Sequence, residues 1–248
     1  KGPWFEKTIQ NKNDIDALHI ADENNLRYVM EAIALTKKEL NNRVPLIGFA
    51  GAPWTIFAYM IEGSGSKTFS KAKQFLYTQP EAAHLLLEKI TQSTINYLRG
   101  QVKSGADIIQ LFDSWAGVLA PDQFYEFSLK YISKICDAIQ PLAPVTVFAK
   151  DAHYAIEEIA KIKCNTIGLD WTINPATARG QAGNKTLQGN ADPCLLYADE
   201  KTIAAETKKM LSAFGSQKYI ANLGHGLYPD IDKEKVKFFV EFIKNYKA

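Results

Sequence analysis

Short apolar runs and helix-period stripes alternate along this chain. Runs rich in β-branched and other apolar residues fall at 45–49, 107–112, 144–148, 165–169, 185–188 and 218–223. They are nearly continuous, the pattern of strands covered on both faces in a parallel sheet. Between them, Ala83, Leu86, Leu87, Ile90, Thr94, Tyr97 and Leu98 recur at spacings of three and four, with Pro80 suited to a first helical position. Ile203, Thr207, Met210, Leu211 and Phe214 form a second stripe, with Asp199 as N-cap and Gly215 as stop. Val236, Phe239, Val240 and Ile243 form a third, capped by Asp232. Segments 124–139 and 154–162 read as further helices. The first forty residues read as an entry loop and a helix over 24–40.

Six repeated strand–helix units predict an α/β fold around a parallel sheet, either open or closed into a barrel. The glycine fingerprint of an open dinucleotide-binding sheet is missing. Gly63-Ser64-Gly65 follows the wrong kind of segment and lacks a third glycine. A closed eight-stranded barrel needs two more strands than the pattern supplies, and these are expected upstream of Lys1. The chain starts with lysine rather than methionine, so an upstream segment is expected in any case. The 18 residues from 44 to 61 carry no charge, but Pro45, Gly48, Gly51 and Pro53 divide them into strand, turn and helix start rather than one membrane span.

Parallel α/β folds place their sites at the carboxyl ends of the strands. Those ends read Ala50-Gly51-Ala52-Pro53-Trp54, Asp113-Ser114-Trp115, Lys150-Asp151-Ala152-His153, Asp170-Trp171, Asn190-Ala191-Asp192 and Gly224-His225-Gly226. In a barrel they would converge on one polar mouth with aromatic walls. The competing reading of any single residue is helix capping, the ordinary task of an aspartate after a strand.

Composition narrows the chemistry. The 248 residues are 46% hydrophobic and 23% charged with net charge +2, which describes a globular domain large enough to build its own core. No basic cluster suggests a nucleic-acid partner. Three widely spaced cysteines, Cys136, Cys164 and Cys194, form neither a disulfide framework nor a zinc ribbon and suit a reducing compartment. No histidine has a cysteine or second histidine within four residues, and GxSxG is absent. His19 and His84 read as surface or packing histidines. Arg27, Arg43, Arg99 and Arg179 are the only arginines among 29 basic residues. The residues alone therefore describe a small-molecule barrel enzyme without a visible metal or nucleotide motif.

Six blocks sharpen this. GFAGAPWTIFAYMIEGSGS (48–66), LFDSWAG (111–117), VFAKDAH (147–153), GLDW (168–171), LQGNADPCLLYA (187–198) and YIANLGHGLYPD (219–230) closely resemble the uroporphyrinogen decarboxylase family, in the family's order and spacing. The resemblance spans essentially the whole chain. It implies a single (β/α)₈ TIM-barrel domain over 1–248, here without its first two strands, working as a cytoplasmic homodimer with no metal or organic cofactor. It also implies removal of carbon dioxide from the four acetate side chains of uroporphyrinogen, giving coproporphyrinogen, with no membrane or nucleic-acid partner.

Residue by residue, the family's tyrosine falls on Tyr59, its serine or threonine on Ser114 and its histidine on His225, all expected to contact substrate. Phe112 is expected to form an aromatic wall of the cleft. The family's arginine-rich opening motif and its ring-facing aspartate have no counterpart between Lys1 and Leu40. The resemblance therefore places the catalytic aspartate upstream of Lys1, and Lys1–Ala248 by itself is expected to be inactive. Two alternatives stand beside this reading: a zinc methyltransferase of the same barrel superfamily, whose His-x-Cys pair is absent here, and a non-catalytic fragment.

Overall fold

Strand and helix alternate as the apolar pattern requires. The computed structural model describes residues 4–22 and 24–247. The chain forms two compact units, the first running to Ala152 and including Ile162–Asn165, the second comprising His153–Lys161 and Thr166 onward.

The first unit begins with α1 (Lys12–Asp16), started by a reciprocal cap between Asn11 and Asp14, and α2 (Arg27–Leu40). Then come β1 (Ile47–Gly51), α3 (Pro53–Glu62), α4 (Ser70–Thr78) and α5 (Pro80–Lys103). β2 (Ile108–Asp113), α6 (Pro121–Phe124), α7 (Lys130–Ile139) and β3 (Val145–Ala149) complete it. β1, β2 and β3 pair in parallel, with Gly51 opposite Phe112 and Phe112 opposite Phe148. The stripe on α5 is buried as the spacing predicts, except Tyr97, which is half-buried.

α5 also satisfies the backbone of β1. The buried Gln101 amide accepts from the Phe49 N–H and donates to the Phe49 carbonyl, both at 2.9 Å. Gly48 leaves the room, since a β-carbon there would lie 2.4 Å from Gln101 Oε1. A strand whose polar groups are taken by a side chain has no need of a neighbouring strand at that point.

The second unit holds α8 (Ile156–Lys161), β4 (Thr166–Gly168), α9 (Pro175–Ala182), β5 (Thr186–Ala191), α10 (Glu200–Phe214), β6 (Tyr219–Leu223) and α11 (Lys233–Asn245). β4, β5 and β6 are parallel, with Thr166 opposite Thr186 and Gln188 opposite Ile220. Asp199 and Asp232 cap α10 and α11 as expected, and Gly215 ends α10. In both units sheet order equals chain order, the sequential winding of a (β/α) barrel.

The differences from the sequence reading have local causes. β5 extends three residues beyond 188 because its ladder with β6 continues to Ala191 opposite Leu223. The helix read over 124–139 is interrupted by a π-helical turn at Tyr125–Leu129. α1, α4 and α9 were not expected, being short and weakly periodic. On α11, only Phe239 is buried and Val240 is 41% exposed. Segment 44–61 is a strand, a turn and a helix. Among the described residues no helix is long and apolar enough to cross a membrane.

Among the described residues, three buried side-chain polar atoms have no partner, on Gln123, Gln181 and Thr207. Thr207 on α10 is fully buried, and its hydroxyl oxygen has no hydrogen-bond partner among the described residues. Thr207→Val keeps the shape and removes the orphaned hydroxyl, so it is expected to raise stability by about 1 kcal/mol. A urea midpoint at or below that of the parent would show that the hydroxyl is satisfied.

Candidate active site

The end of β2 is the most elaborate part of the first unit. Its last residue, Asp113, is fully buried, and among the described residues no cation pairs with it. Two hydroxyls donate to it instead: Thr55 Oγ1 of α3 to Oδ1 at 2.6 Å, and Ser128 Oγ to Oδ2 at 2.5 Å. Ser128 reaches the carboxylate from the π-helical turn, a feature that often marks functional sites. Burial pushes the Asp113 carboxyl up from its ordinary 3.8 to about 6, against the downward pull of the two hydroxyls.

Immediately after it, Ser114 is half-buried, and its hydroxyl has no partner among the described residues. Trp115 follows and is tied at three points. Its N–H reaches Thr55 Oγ1 at 3.4 Å, its carbonyl accepts from Trp54 Nε1 at 2.9 Å, and its indole N–H donates to the Tyr59 hydroxyl at 3.1 Å. Phe112 stands edge-on between Phe49 and Phe148, each 6.0 Å away, so the three strands share an aromatic row. The loop is packed against the end of β3 at Gly117, where a β-carbon would meet that of Asp151 at 2.4 Å. Lys150 is ion-paired with Asp151.

The second unit has its own polar strand ends. Asp170, 1% exposed, accepts from Thr172 N at 2.9 Å and Thr172 Oγ1 at 2.6 Å, and lies 3.3 Å from His153 Nε2. His153 also bonds Thr172 Oγ1. Asn190 Nδ2 bridges the carbonyls of Asp170 and Ile173 at 3.1 and 2.9 Å. Gly224 permits close approach, because a β-carbon there would sit 2.7 Å from Trp171 N. His225 is exposed on the loop after β6. That loop is pinned farther along, where Tyr197 donates to Asp230 at 2.7 Å, which raises the phenol to about 12.

The structure thus brings Tyr59, Ser114 and Phe112 to one strand end of the first unit and places His225 after a strand of the second. Asp192 turns out to be the ordinary helix cap that the competing reading describes, accepting from Cys194 N at 2.9 Å. His84 packs on Phe127 at 4.8 Å and bonds Tyr131 and Glu126. Thr55 and Ser128 escaped sequence reasoning, since nothing in a lone hydroxyl residue signals a buried carboxylate far along the chain. Thr172, two residues after Asp170, was not singled out either. Among the described residues no group of three or more His, Cys, Asp or Glu is placed to hold a metal ion.

Comparison with known proteins resolves the identity. The uroporphyrinogen decarboxylase family model matches residues 1–246. The chain belongs to the uroporphyrinogen decarboxylase family.

The human uroporphyrinogen decarboxylase is 48% identical across 99% of this chain and 70% of its own length, and that of Christiangramia forsetii is 47% identical across 99% and 73%. A methyltransferase from Methanosarcina mazei superposes with a TM-score of 0.82 over 100% of this chain and 71% of its own, at 19% identity, and so shares the fold. Decarboxylase activity on uroporphyrinogen is the family function, and the zinc methyltransferase alternative is not favoured.

The raised Asp113 carboxyl has a consequence for stability. A buried acid whose folded pKa lies above its unfolded one costs nothing at pH below the unfolded value, and its cost grows as pH rises through the folded value. Between pH 4 and 6.5 the parent is therefore expected to lose up to about 3 kcal/mol relative to Asp113→Asn. Urea melts across that range check this. Parallel pH profiles would mean that Asp113 is not held above its ordinary pKa.

Proposed function

We propose that this member decarboxylates the acetate side chains of uroporphyrinogen with Tyr59, Ser114 and His225 as hydrogen-bond donors to substrate and Phe112 as an apolar wall. The observation that carries the reading is the end of β2. There the Ser114 hydroxyl, without a partner among the described residues, the Tyr59 hydroxyl and the Phe49–Phe112–Phe148 row lie on neighbouring elements. Together they offer what a flat, acidic, aromatic substrate requires, polar donors beside a ring-sized apolar surface.

The chemistry asks little else of these side chains. The bond between an acetate methylene and its carboxyl carbon breaks, and carbon dioxide leaves. The electron pair is absorbed by the protonated pyrrole ring, a proton then completes the methyl group, and the ring gives up the proton it had taken, so one proton is consumed for each carbon dioxide released. The protonated ring is the electron sink, so the step calls for neither a metal nor an organic cofactor. What the protein contributes is orientation of the departing carboxylate and a site poor in water, where fixed donors count for more. Lys150 and His153 stand at strand ends too, but each already has an acidic neighbour, Asp151 and Asp170. They are therefore less suited than Ser114 to receive a new carboxylate.

The reading extends to a single barrel domain working as a homodimer in the cytoplasm. In support, no disulfide joins Cys136, Cys164 and Cys194, which suits a reducing compartment. Sedimentation of the purified enzyme tests the dimer.

Tyr59→Phe and His225→Gln are each expected to lower turnover by about one to two decades without abolishing it. A hydrogen bond to a charged group is worth roughly 1.5–3 kcal/mol, and the ring cation is not their task. Ser114→Ala should raise KM for uroporphyrinogen. Complete inactivity of a folded Tyr59→Phe or His225→Gln variant would mean that the residue is an essential acid or base.

A further inference from the structure

We propose that Trp115 is a positioning residue for Tyr59, fixing the Tyr59 hydroxyl as a donor toward a substrate carboxylate, and that Asp113 holds Trp115 in place through Thr55. The proposal rests on the assignment of Tyr59 as a substrate contact.

The direction of one hydrogen bond carries the argument. An indole N–H can only donate, so at 3.1 Å the Tyr59 oxygen must be the acceptor. Its own proton then points elsewhere, and no other described residue accepts it. An ionised carboxylate can only accept. Trp115 therefore leaves Tyr59 with the polarity an acidic side chain needs, and a free phenol would spend part of its time as an acceptor from water.

The indole is itself held. Thr55 and Tyr59 stand one turn apart on α3 and so share a face. Trp115 spans that turn, its backbone N–H on Thr55 and its indole on Tyr59. The backbone carbonyl is fixed by Trp54, and the ring lies 4.7 Å from Phe69, which also meets Tyr59 edge-on at 5.7 Å. Phe69 adopts a left-handed backbone (φ 47°), costly for a bulky residue and tolerated only where its surroundings over-determine it.

Asp113 sets the sense of the remaining link. As an acceptor-only carboxylate it takes the Thr55 proton, which leaves the Thr55 oxygen to receive the Trp115 N–H. Ser128 donates to the second carboxylate oxygen, so each oxygen has its own hydroxyl donor. The sequence of donors runs Trp115 N–H to Thr55, and Thr55 O–H to Asp113.

A double-mutant cycle in the enzyme tests the relay, with kcat/KM for uroporphyrinogen and thermal stability measured for Trp115→Phe, Tyr59→Phe and the pair. Trp115→Phe is expected to lower kcat/KM about three- to tenfold, the scale of one neutral hydrogen bond. In the Tyr59→Phe background the same change should cost less than about twofold, because the hydroxyl it serves is gone. Additive losses, with Tyr59→Phe itself damaging, would overturn the relay alone. An undamaged Tyr59→Phe variant would instead overturn the assignment of Tyr59 on which it rests. If Trp115→Phe does not fold, Thr55→Ser and Thr55→Val carry the test. The serine should match the parent, and the valine should lose activity only while Tyr59 is present. Equal activity of the two would overturn the link through Thr55.

Discussion

A carboxylate with no counter-ion among the described residues, sealed at the end of β2, organises the first unit. Asp113 is unreachable by water and must be satisfied by what the fold brings to it, Thr55 from α3 and Ser128 from the π-helical turn. Each partner comes from a different element, so the carboxylate fixes the helix before it and the turn after it against one strand end. Leaving a buried ionised group short of a donor costs more than an ordinary hydrogen bond contributes, which makes this junction intolerant of slippage. The positions of Ser114 and Trp115, the next two residues, follow from it.

Close approach is the second device, and it is supplied by missing side chains. Gly48 admits Gln101 to the backbone of β1, Gly117 admits the loop after β3, and Gly224 lets the end of β6 lie on Asp170 and Trp171. Aromatic rings then fill the space between the closely packed backbones, with Phe49, Phe112 and Phe148 in one row and Tyr59, Phe69 and Trp115 in another cluster. Rigid strand ends carrying donors beside aromatic surface are a suitable setting for decarboxylation. Such a decarboxylation depends on holding a carboxylate still while a cationic ring takes its electrons.

The strand ends of the two units are built differently. Around Asp113 the partners are hydroxyls, and the carboxyl is raised by burial. Around Asp170 they are Thr172 and the imidazole of His153, 3.3 Å away. An aspartate after a strand therefore has no fixed meaning in this fold. Asp113 braces a loop, Asp170 orients a histidine and a threonine, and Asp192 caps a short turn.

The sequence by itself determined the class of the fold. Near-continuous apolar runs specify the strands, although only β3 and β4 are buried throughout while β1 and β6 are exposed at alternate positions. The 3.6-residue stripes of α5 and α10 specify which helix faces pack inward. Those signals are local, as are the caps at Asp199 and Asp232. The matching motif blocks also made the family legible. The π-helical turn, the extra length of β5 and the weak burial of α11 were decided by tertiary packing. So were the partners of Asp113, because Thr55 and Ser128 lie 58 and 15 residues from it along the chain. A hydroxyl side chain carries no periodicity of its own, and only the assembled strands and helices choose which acceptor it meets.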